Sequence, residues 1–279
     1  MLKGLYKDFQ ACKVTYRSRT LYLVPHWMCI GVVKGGTTSL YKAFKQHPDI
    51  WMPHSKETHF FSGPDYGLGM RYYMDNFFAN ADSYAKSIGE ISPKYFIHRY
   101  VPRRIKANIN NDIKFIVILR HPVDRAWSHY CHSYERFRHF PYRPTEDLSF
   151  KLALREEKKR LNEPDHYSWT HGYWLAYLYT GLYAKHLRNW FDYFPRENFL
   201  VLTLEELTEK TQLTLDSIAN HLGIKSFSDL DNSISFPKTN SYSRTGLESV
   251  TRRDLIRYYE PHIRDLERLL DRDFSHWLS

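Results

Sequence analysis

Cysteine is scarce in this sequence, with three residues among 279. Cys12, Cys29 and Cys131 lie far apart and form no Cys-x-x-Cys pair. This number and spacing indicate neither a disulfide framework nor a cysteine-ligated zinc site. A chain of this length buries enough apolar surface to fold without such cross-links. We therefore expect a protein of a reducing compartment, with the cytoplasm as its location.

Long apolar runs are missing as well. The most apolar segment, residues 21–33, is interrupted by Pro25 and His26 and is too short to span a bilayer as a helix. Residues 1–8 lack the continuous apolar stretch of a signal peptide. The sequence has no internal repeat and no Gly/Ser-rich linker. These absences predict one soluble domain over residues 1–279, without a transmembrane segment.

Acidic residues are outnumbered by basic ones: 31 Asp and Glu stand against 40 Lys and Arg, a net charge of +9 at pH 7. Such a surplus predicts an anionic partner. By charge alone this partner could be nucleic acid, an anionic membrane or a small ligand with several phosphates. The basic residues are dispersed among acidic ones and form no stripe, which disfavours nucleic acid.

Short apolar runs alternate with helical patterns along the chain. Continuous apolar runs are typical of strands that are buried on both faces. Strands and helices in alternation predict an α/β fold, with a central parallel β-sheet flanked by helices on both faces. The predicted strands are 28–33, 87–91, 113–119 and 198–203, and the predicted helices are 40–46, 122–135, 183–194 and 215–222. Because ligands of such folds bind at the carboxyl ends of strands, we expect the site near residues 34–39 and 120–128.

The segment between the first predicted strand and its helix has the composition of a phosphate-binding loop. It consists of Lys34, Gly35, Gly36, Thr37, Thr38 and Ser39. Glycines let backbone amides approach an anion closely, and the helix N-terminus adds the positive end of its dipole. Lys34 precedes the glycines, whereas the lysine of a nucleoside-triphosphatase loop follows them. The loop therefore suits a single 5′-phosphate or 5′-phosphosulfate; an ordinary strand-to-helix turn with a threonine cap is the alternative.

A second anion site is predicted where Arg120 ends a strand and Ser128 follows on the next helix. A guanidinium fork and a hydroxyl suit a phosphate group. Many strands end in an arginine, so this signal is weak by itself. It becomes strong beside the predicted phosphate-binding loop at residues 34–39. Two separate phosphate sites on one sheet predict a nucleotide that is phosphorylated at both ends.

Together these motifs resemble the sulfotransferase superfamily, whose members use 3′-phosphoadenosine 5′-phosphosulfate (PAPS). Residues 31–40 are similar to the family's 5′-phosphosulfate loop, and residues 118–130 are similar to its 3′-phosphate motif. Segments 47–50, 56–61 and 181–195 are most similar to the heparan sulfate 3-O-sulfotransferase and N-sulfotransferase type and its bacterial relatives. The resemblance implies the sulfotransferase fold with its P-loop-like phosphate-binding loop.

The resemblance also implies a reaction and a set of partners. Members of this family transfer the sulfuryl group of PAPS in line to a hydroxyl or amino group and release adenosine 3′,5′-bisphosphate (PAP), without a metal. The acceptor would be a glycan, a lipid or a small molecule. A bacterial-type enzyme acting on an intracellular glycan precursor, lipid or metabolite fits these features better than a Golgi enzyme.

The resemblance assigns roles to three side chains. Lys34 matches the lysine that neutralises the oxygen bridging sulfur and phosphorus, and Glu57 matches the carboxylate base. His59 is the second candidate for the base, or a partner that orients it. In an extended segment Glu57 and His59 would face the same way, because they are two residues apart. By spacing alone an exposed charged loop is the better explanation, and only the family motif favours a base.

The sequence departs from the family pattern in two places. The lysine of the family's Glu-Lys-(Ser/Thr) motif is replaced by Ile91, and Lys94 is shifted from it by three residues. The family's disulfide-bearing C-terminal loop corresponds to residues 237–246, which contain no cysteine. Lys238 and Arg244 in that segment are candidates for binding the 3′-phosphate, and a merely solvated loop is the alternative.

We expect residues 1–25 to form an N-terminal extension and residues 28–207 to form the core. Residues 208–279 would supply C-terminal helices and the loop that covers the nucleotide. A P-loop kinase-like phosphotransferase is the alternative function, although the lysine position and the absence of a clear acidic strand end for Mg²⁺ count against it. A nucleic-acid-binding module is the third possibility, and the dispersed charge counts against it.

Overall fold

A five-stranded parallel sheet lies at the centre of the structure. The computed structural model describes residues 13–16, 19–22, 25–81, 85–136, 146–162, 173–230 and 246–279. The strands are β1 (Lys13–Tyr16), β2 (Arg19–Tyr22), β3 (Trp27–Gly31), β4 (Ile50–Trp51), β5 (Ser87–Ile91), β6 (Lys114–Leu119) and β7 (Phe199–Thr203). The sheet has the order β4-β5-β3-β6-β7, and all its neighbouring strands are parallel. The first two strands form a separate antiparallel hairpin.

Helices cover both faces of this sheet. They are α1 (Thr37–Phe44), α2 (Gly69–Tyr73), α3 (Val101–Asn108), α4 (Pro122–Arg136), α5 (Phe150–Asn162), α6 (Tyr183–Phe191), α7 (Leu204–Glu209), α8 (Thr211–Leu222) and α9 (Ser249–Leu270). Buried side chains of α1, α7 and α8 form one apolar cluster with the sheet. Those of α3, α4, α6 and α9 form a second, larger cluster. The predicted α/β fold class is therefore confirmed.

The buried strand β3 explains why its sequence reads as a continuous apolar run. All five of its residues are buried. Met28 and Ile30 belong to the larger cluster, whereas Trp27 and Cys29 belong to the smaller one. Because successive side chains of a strand point to opposite faces, both faces need apolar residues when helices pack on both.

Most predicted elements are confirmed, but their ends differ. The first predicted strand extends to residue 33, yet β3 already ends at Gly31, and α6 ends at Phe191, short of the predicted residue 194. Strand β4 and the hairpin were not predicted. A strand of two residues is too short to produce a pattern. The hairpin lies in the segment that we expected to be an extension.

The parallel arrangement gathers the carboxyl ends of the strands along one edge of the sheet. The loop after β3, the segment after β5 and the start of α4 after β6 all begin at this edge. No helix in the described part of the chain is long and apolar enough to cross a membrane.

Candidate active site

The loop between β3 and α1 has the backbone of an anion cradle. Gly36 occupies the N-cap position of α1 with φ 94°, and Lys34 has φ 69°. Both angles lie in the left-handed region, which glycine enters without a steric penalty. Gly36 has no side chain with which to cap the helix, so the amides of the first turn can face a ligand.

Gly35 is required by a close backbone approach. A Cβ atom at this position would lie 2.3 Å from the carbonyl oxygen of Ile118 on β6. The amide of Gly35 also donates to the carbonyl of Val32 at 2.9 Å. The loop is therefore pressed against β6, and only glycine fits there.

The side chains of this loop differ in their exposure. Thr37 and Ser39 are buried, Lys34 is half-buried and Thr38 is exposed. The structure thus places the predicted loop residues at the carboxyl end of β3, with the lysine accessible.

Arg120 joins the second predicted anion site to the first. Its Nη1 donates to the carbonyl oxygen of Lys34 at 3.2 Å. The carbonyl of Arg120 in turn accepts a hydrogen bond from the hydroxyl of Tyr183 at 2.7 Å, which fixes the end of β6. Burial lowers the pKa of Arg120, but an arginine stays charged at neutral pH. A partly desolvated cation beside the loop attracts an anionic ligand.

Ser128 lies on α4, which begins just after Arg120. Its side chain is 1% exposed, and its Oγ has no hydrogen-bond partner among the described residues. A buried hydroxyl normally has a partner, so a ligand oxygen would satisfy it. The helix is held in place by an ion pair between Asp124 and Arg252 of α9 at 2.6 Å.

Glu57 and His59 lie close together, but not through an extended segment. Glu57 has φ 69° and His59 has φ 55°, so the extended geometry in which residues two apart face the same way does not apply here. With positive φ angles at these two residues, the backbone brings His59 Nε2 to 3.5 Å from Glu57 Oε2. The ammonium of Lys56 contacts the other oxygen of the same carboxylate. The sequence pattern did not reveal this conformation because neither residue is a glycine.

The two neighbours Lys56 and His59 determine the charge of Glu57. Burial acts to raise the pKa of Glu57, but the hydrogen bond from His59 and the charge of Lys56 outweigh it and hold the pKa well below its usual range. Glu57 is therefore ionised at neutral pH. A proton acceptor in catalysis has to be in this state.

Glu90 belongs to the site, although no role was predicted for it. It is 1% exposed on β5, and Thr58, between Glu57 and His59, donates a hydrogen bond to it at 2.5 Å. A carboxylate within a strand predicted to be buried is the signal that could have identified it, since such a group needs buried donors.

The two departures from the family pattern have different structural outcomes. Ile91 is buried in the smaller apolar cluster, where a lysine would lose its hydration. Lys94 is 5% exposed, and its ammonium contacts the ring of Trp174, whose centroid lies 6.0 Å from that of His59. The shifted lysine therefore lies in the neighbourhood of the Glu57–His59 pair.

The positive charge around Lys94 acts on two buried histidines. Burial lowers the pKa of His98 well below its ordinary value, and the charge of Lys94 adds to this effect. Burial lowers the pKa of His129 likewise, with contributions from the charges of Arg125, Lys94 and Lys34. Both imidazoles are thus neutral at pH 7. The excess positive charge at this edge of the sheet would be compensated by an anion.

Comparison with known proteins identifies the family. The model of the family described as "Sulfotransferase domain" matches residues 25–264. The chain belongs to the sulfotransferase family.

The curated relatives of this protein act on heparan sulfate, according to their names. The human heparan sulfate glucosamine 3-O-sulfotransferase 3B1 is 32% identical over 202 residues, which cover 72% of this chain and 47% of that protein. The human bifunctional heparan sulfate N-deacetylase/N-sulfotransferase 2 is 28% identical over 245 residues, which cover 83% of this chain and 26% of that protein. The chain thus spans less than half the length of these relatives.

Solved structures share the fold of this family member. The sulfotransferase from Alicyclobacillus acidocaldarius has a TM-score of 0.73 and 29% identity, covering 91% of this chain and 99% of that chain. The mouse sulfotransferase SULT7A1, in complex with PAP, has a TM-score of 0.52 and 16% identity, covering 94% of this chain and 99% of that chain. At such low identity the mouse protein is informative about the fold alone.

Some predicted site residues of this sulfotransferase family member are not described. Lys238 and Arg244 lie outside the described residues, so their role in binding the 3′-phosphate stays a prediction. In the part of the chain that the structure describes, no group of three or more His, Cys, Asp or Glu side chains could hold a metal ion.

Proposed function

We propose that this protein transfers the sulfuryl group of PAPS to a hydroxyl or amino group of an acceptor, and that the acceptor is a carbohydrate. The hydrogen bond between Arg120 and the carbonyl of Lys34 carries this proposal. It brings a strand-end arginine next to the phosphate loop, so that two anionic groups of one nucleotide can bind side by side. The names of the heparan sulfate relatives support a carbohydrate acceptor.

In the proposed complex the loop amides and Lys34 bind the 5′-phosphosulfate. Arg120 and Ser128 bind the 3′-phosphate. The buried hydroxyl of Ser128, which has no hydrogen-bond partner among the described residues, supports this role because a phosphate oxygen could accept its hydrogen bond. A guanidinium suits a phosphate because it offers two parallel donors.

The proposed reaction is an in-line displacement at sulfur. A lone pair of the acceptor oxygen forms the new S–O bond while the bond from sulfur to the 5′-phosphate oxygen breaks. The electron pair of that bond leaves with the phosphate, where Lys34 and the loop amides stabilise the charge. Glu57 takes the proton of the acceptor hydroxyl. The products are the sulfated acceptor and PAP.

Glu57 is the proposed base, and its partners shape how it acts. Because Lys56 and His59 both bind its carboxylate, Glu57 is a weak base in the free protein. A carboxylate offers about four lone-pair sites, so the acceptor hydroxyl can donate to Glu57 while both neighbours remain bound. His59 then stays in contact with the carboxylate and orients it.

Calorimetry with two nucleotides tests the proposed donor site. PAP should bind without added metal, and Arg120→Ala should weaken this binding by about 1.5–3 kcal/mol, the range for a hydrogen bond to a charged group. Adenosine 5′-phosphosulfate lacks the 3′-phosphate, so the same variant should bind it almost as the wild type does. Equal losses for both ligands would contradict the role of Arg120.

Thermal unfolding distinguishes this function from the two alternatives. A ligand that binds only the folded state raises the Tm. PAP should do so without metal. If Mg-ATP raised the Tm and PAP did not, the protein would be a kinase-like phosphotransferase. If only an oligonucleotide raised the Tm, the protein would be a nucleic-acid-binding module.

Transfer of labelled sulfate from PAPS to chemically desulfated heparin tests the carbohydrate acceptor directly.

A further inference from the structure

The segment that carries the proposed base has a backbone that it would not adopt alone. Glu57 and His59 both have positive φ angles, 69° and 55°. Residues other than glycine enter this region at an energetic cost and remain there only when their surroundings hold them. Contacts from other parts of the fold therefore keep this segment in shape.

Thr58, between these two residues, is attached to β5. Its hydroxyl donates to Glu90 Oε2 at 2.5 Å, and the side chains of both residues are buried. One position further along β5, the carbonyl of Ile91 accepts a hydrogen bond from the amide of Glu57 at 3.1 Å. The segment is thus held to the end of this strand by its backbone and by its side chain.

Glu90 is the centre of a buried cluster of hydroxyl groups. Besides Thr58, it accepts hydrogen bonds from Tyr73 at 2.7 Å, Ser92 at 2.9 Å and Tyr95 at 3.2 Å. Ionised carboxylate oxygens only accept hydrogen bonds, so one carboxylate can serve four hydroxyl donors at once. Burial raises the pKa of Glu90 above its usual value, and the hydrogen bonds from these hydroxyls offset only part of this effect.

Tyr95 extends the cluster to the other side of His59. Its hydroxyl lies 3.0 Å from Thr58 Oγ1 and accepts a hydrogen bond from the amide of Phe61 at 3.2 Å. Thr58 and Phe61 flank His59 in the sequence. The cluster therefore holds the chain before and after this histidine.

We propose that Glu90 is a positioning residue, which holds Glu57 and His59 in their working geometry through Thr58 and Tyr95. This role rests on the proposed function, because Glu57 is positioned for the transfer proposed above. Glu90 itself does not touch the reacting groups. Its effect comes from the carboxylate as a pure acceptor, which glutamine cannot reproduce, since its amide presents N–H donors to the surrounding hydroxyls.

The test compares Glu90→Gln, Thr58→Val and Thr58→Ser in the full chain. With PAPS and chemically desulfated heparin, the first two variants should lower kcat by about 10²-fold, the effect of misplacing a catalytic group by about 1 Å. Their KM for PAPS and their affinity for PAP should stay close to wild type. Thr58→Ser keeps the hydroxyl and should restore most of kcat.

The double variant is the decisive comparison. If Thr58 acts through Glu90, combining Glu90→Gln with Thr58→Val should lower kcat no further than the more severe single variant, because coupled residues are not additive. Ile218→Val on α8, in the other apolar cluster, is the control for a loss of stability. It should lower the Tm without lowering kcat.

A second readout does not depend on the transfer reaction. The carboxyl carbons of the glutamates are labelled with ¹³C, and their NMR shifts are followed as the pH is lowered. In the wild-type protein Glu57 should stay ionised at pH values far below the ordinary glutamate pKa of about 4.3. In Thr58→Val the pKa of Glu57 should rise toward that value, because the contact with His59 loosens. If wild-type protein transfers no sulfate, the proposed function fails while this titration still tests the positioning role.

The positioning role is overturned by any of three results. These are an unchanged Glu57 titration in Thr58→Val, a Thr58→Ser variant as impaired as Thr58→Val, and effects of Glu90→Gln and Thr58→Val that multiply in the double variant.

Discussion

Glu57 and Lys34 contact different parts of the proposed complex, so their substitution separates chemistry from binding. Glu57→Gln keeps the size of the side chain but removes its ability to take up a proton. Turnover should fall by about 10²–10⁴-fold, the usual contribution of a positioned base. Affinity for PAP should change little, because Glu57 lies on the segment bonded to β5 and not in the loop after β3. Steady-state kinetics and calorimetry measure the two effects.

Two control variants sharpen this comparison. Lys34→Ala should reduce both turnover and donor binding, since Lys34 belongs to the proposed phosphate-binding loop. His59→Ala tests the second candidate for the base. If it abolishes turnover while Glu57→Gln retains more than about a tenth of it, on the same scale for a catalytic base, then His59 is the base. The roles of the two residues would then be exchanged.

At the scale of elements, the loop between β3 and α1 depends on its contact with β6. Gly35→Ala would place a Cβ atom 2.3 Å from the carbonyl oxygen of Ile118, which belongs to the backbone and cannot rotate away. The loop would have to move, and the free energy of unfolding should fall by about 1–3 kcal/mol, as in other overpacked sites. PAP binding, measured by calorimetry, should weaken as the loop amides lose their alignment.

Gly67→Ala is the matched control for this prediction. A Cβ atom at Gly67 meets no atom within 4 Å, and its φ is not positive. This variant should bind PAP and unfold like the wild type. A Gly35→Ala variant that behaved in the same way would show that the close approach to β6 does not shape the binding site.

At the scale of the whole molecule, the fold collects cationic side chains at one edge of the sheet. Lys34, Lys94 and Arg120 follow three different strands, β3, β5 and β6, and all three lie at their carboxyl ends. The transferred sulfuryl group carries one negative charge, whereas a phosphoryl group carries two. Fixed cations and backbone amides can therefore stabilise the transition state without a divalent ion.

We accordingly expect turnover to be independent of added metal. Sulfate transfer from PAPS should proceed at the same rate in EDTA as in buffer with Mg²⁺. Loss of activity in EDTA with recovery in Mg²⁺ would instead favour the kinase-like alternative.

Local patterns in the sequence were sufficient for the parts of the protein that local physics determines. The strands β3, β6 and β7 were predicted from runs of mainly apolar residues, and β5, which contains Ser87 and Glu90, gave a weaker pattern. The loop at residues 34–39 was predicted because glycines between a buried strand and a helix are typical of an anion-binding turn. Both signals lie within short stretches of chain.

Only the tertiary structure decided how the residues between these elements are arranged. The left-handed backbone at Glu57 and His59 has no local cause, since both residues prefer other conformations. Thr58 and Glu90, which hold that segment, are 32 residues apart in the sequence. Arg120 and the carbonyl of Lys34 are separated by 86 residues.

The tertiary structure also determines where the two residues that depart from the family pattern are placed. The sequence shows that Ile91 replaces the lysine of the family motif and that Lys94 lies three residues further along the chain. Ile91, the last residue of β5, packs into the smaller apolar cluster. Lys94 lies on the short 3-10 helix Pro93–Ile97 that follows β5, and its ammonium contacts Trp174 near His59. Composition and spacing determine which segments become strands, helices and loops. Which side chains of the site lie next to one another depends on how segments far apart in the chain pack together, and that packing exists only after the sheet has formed.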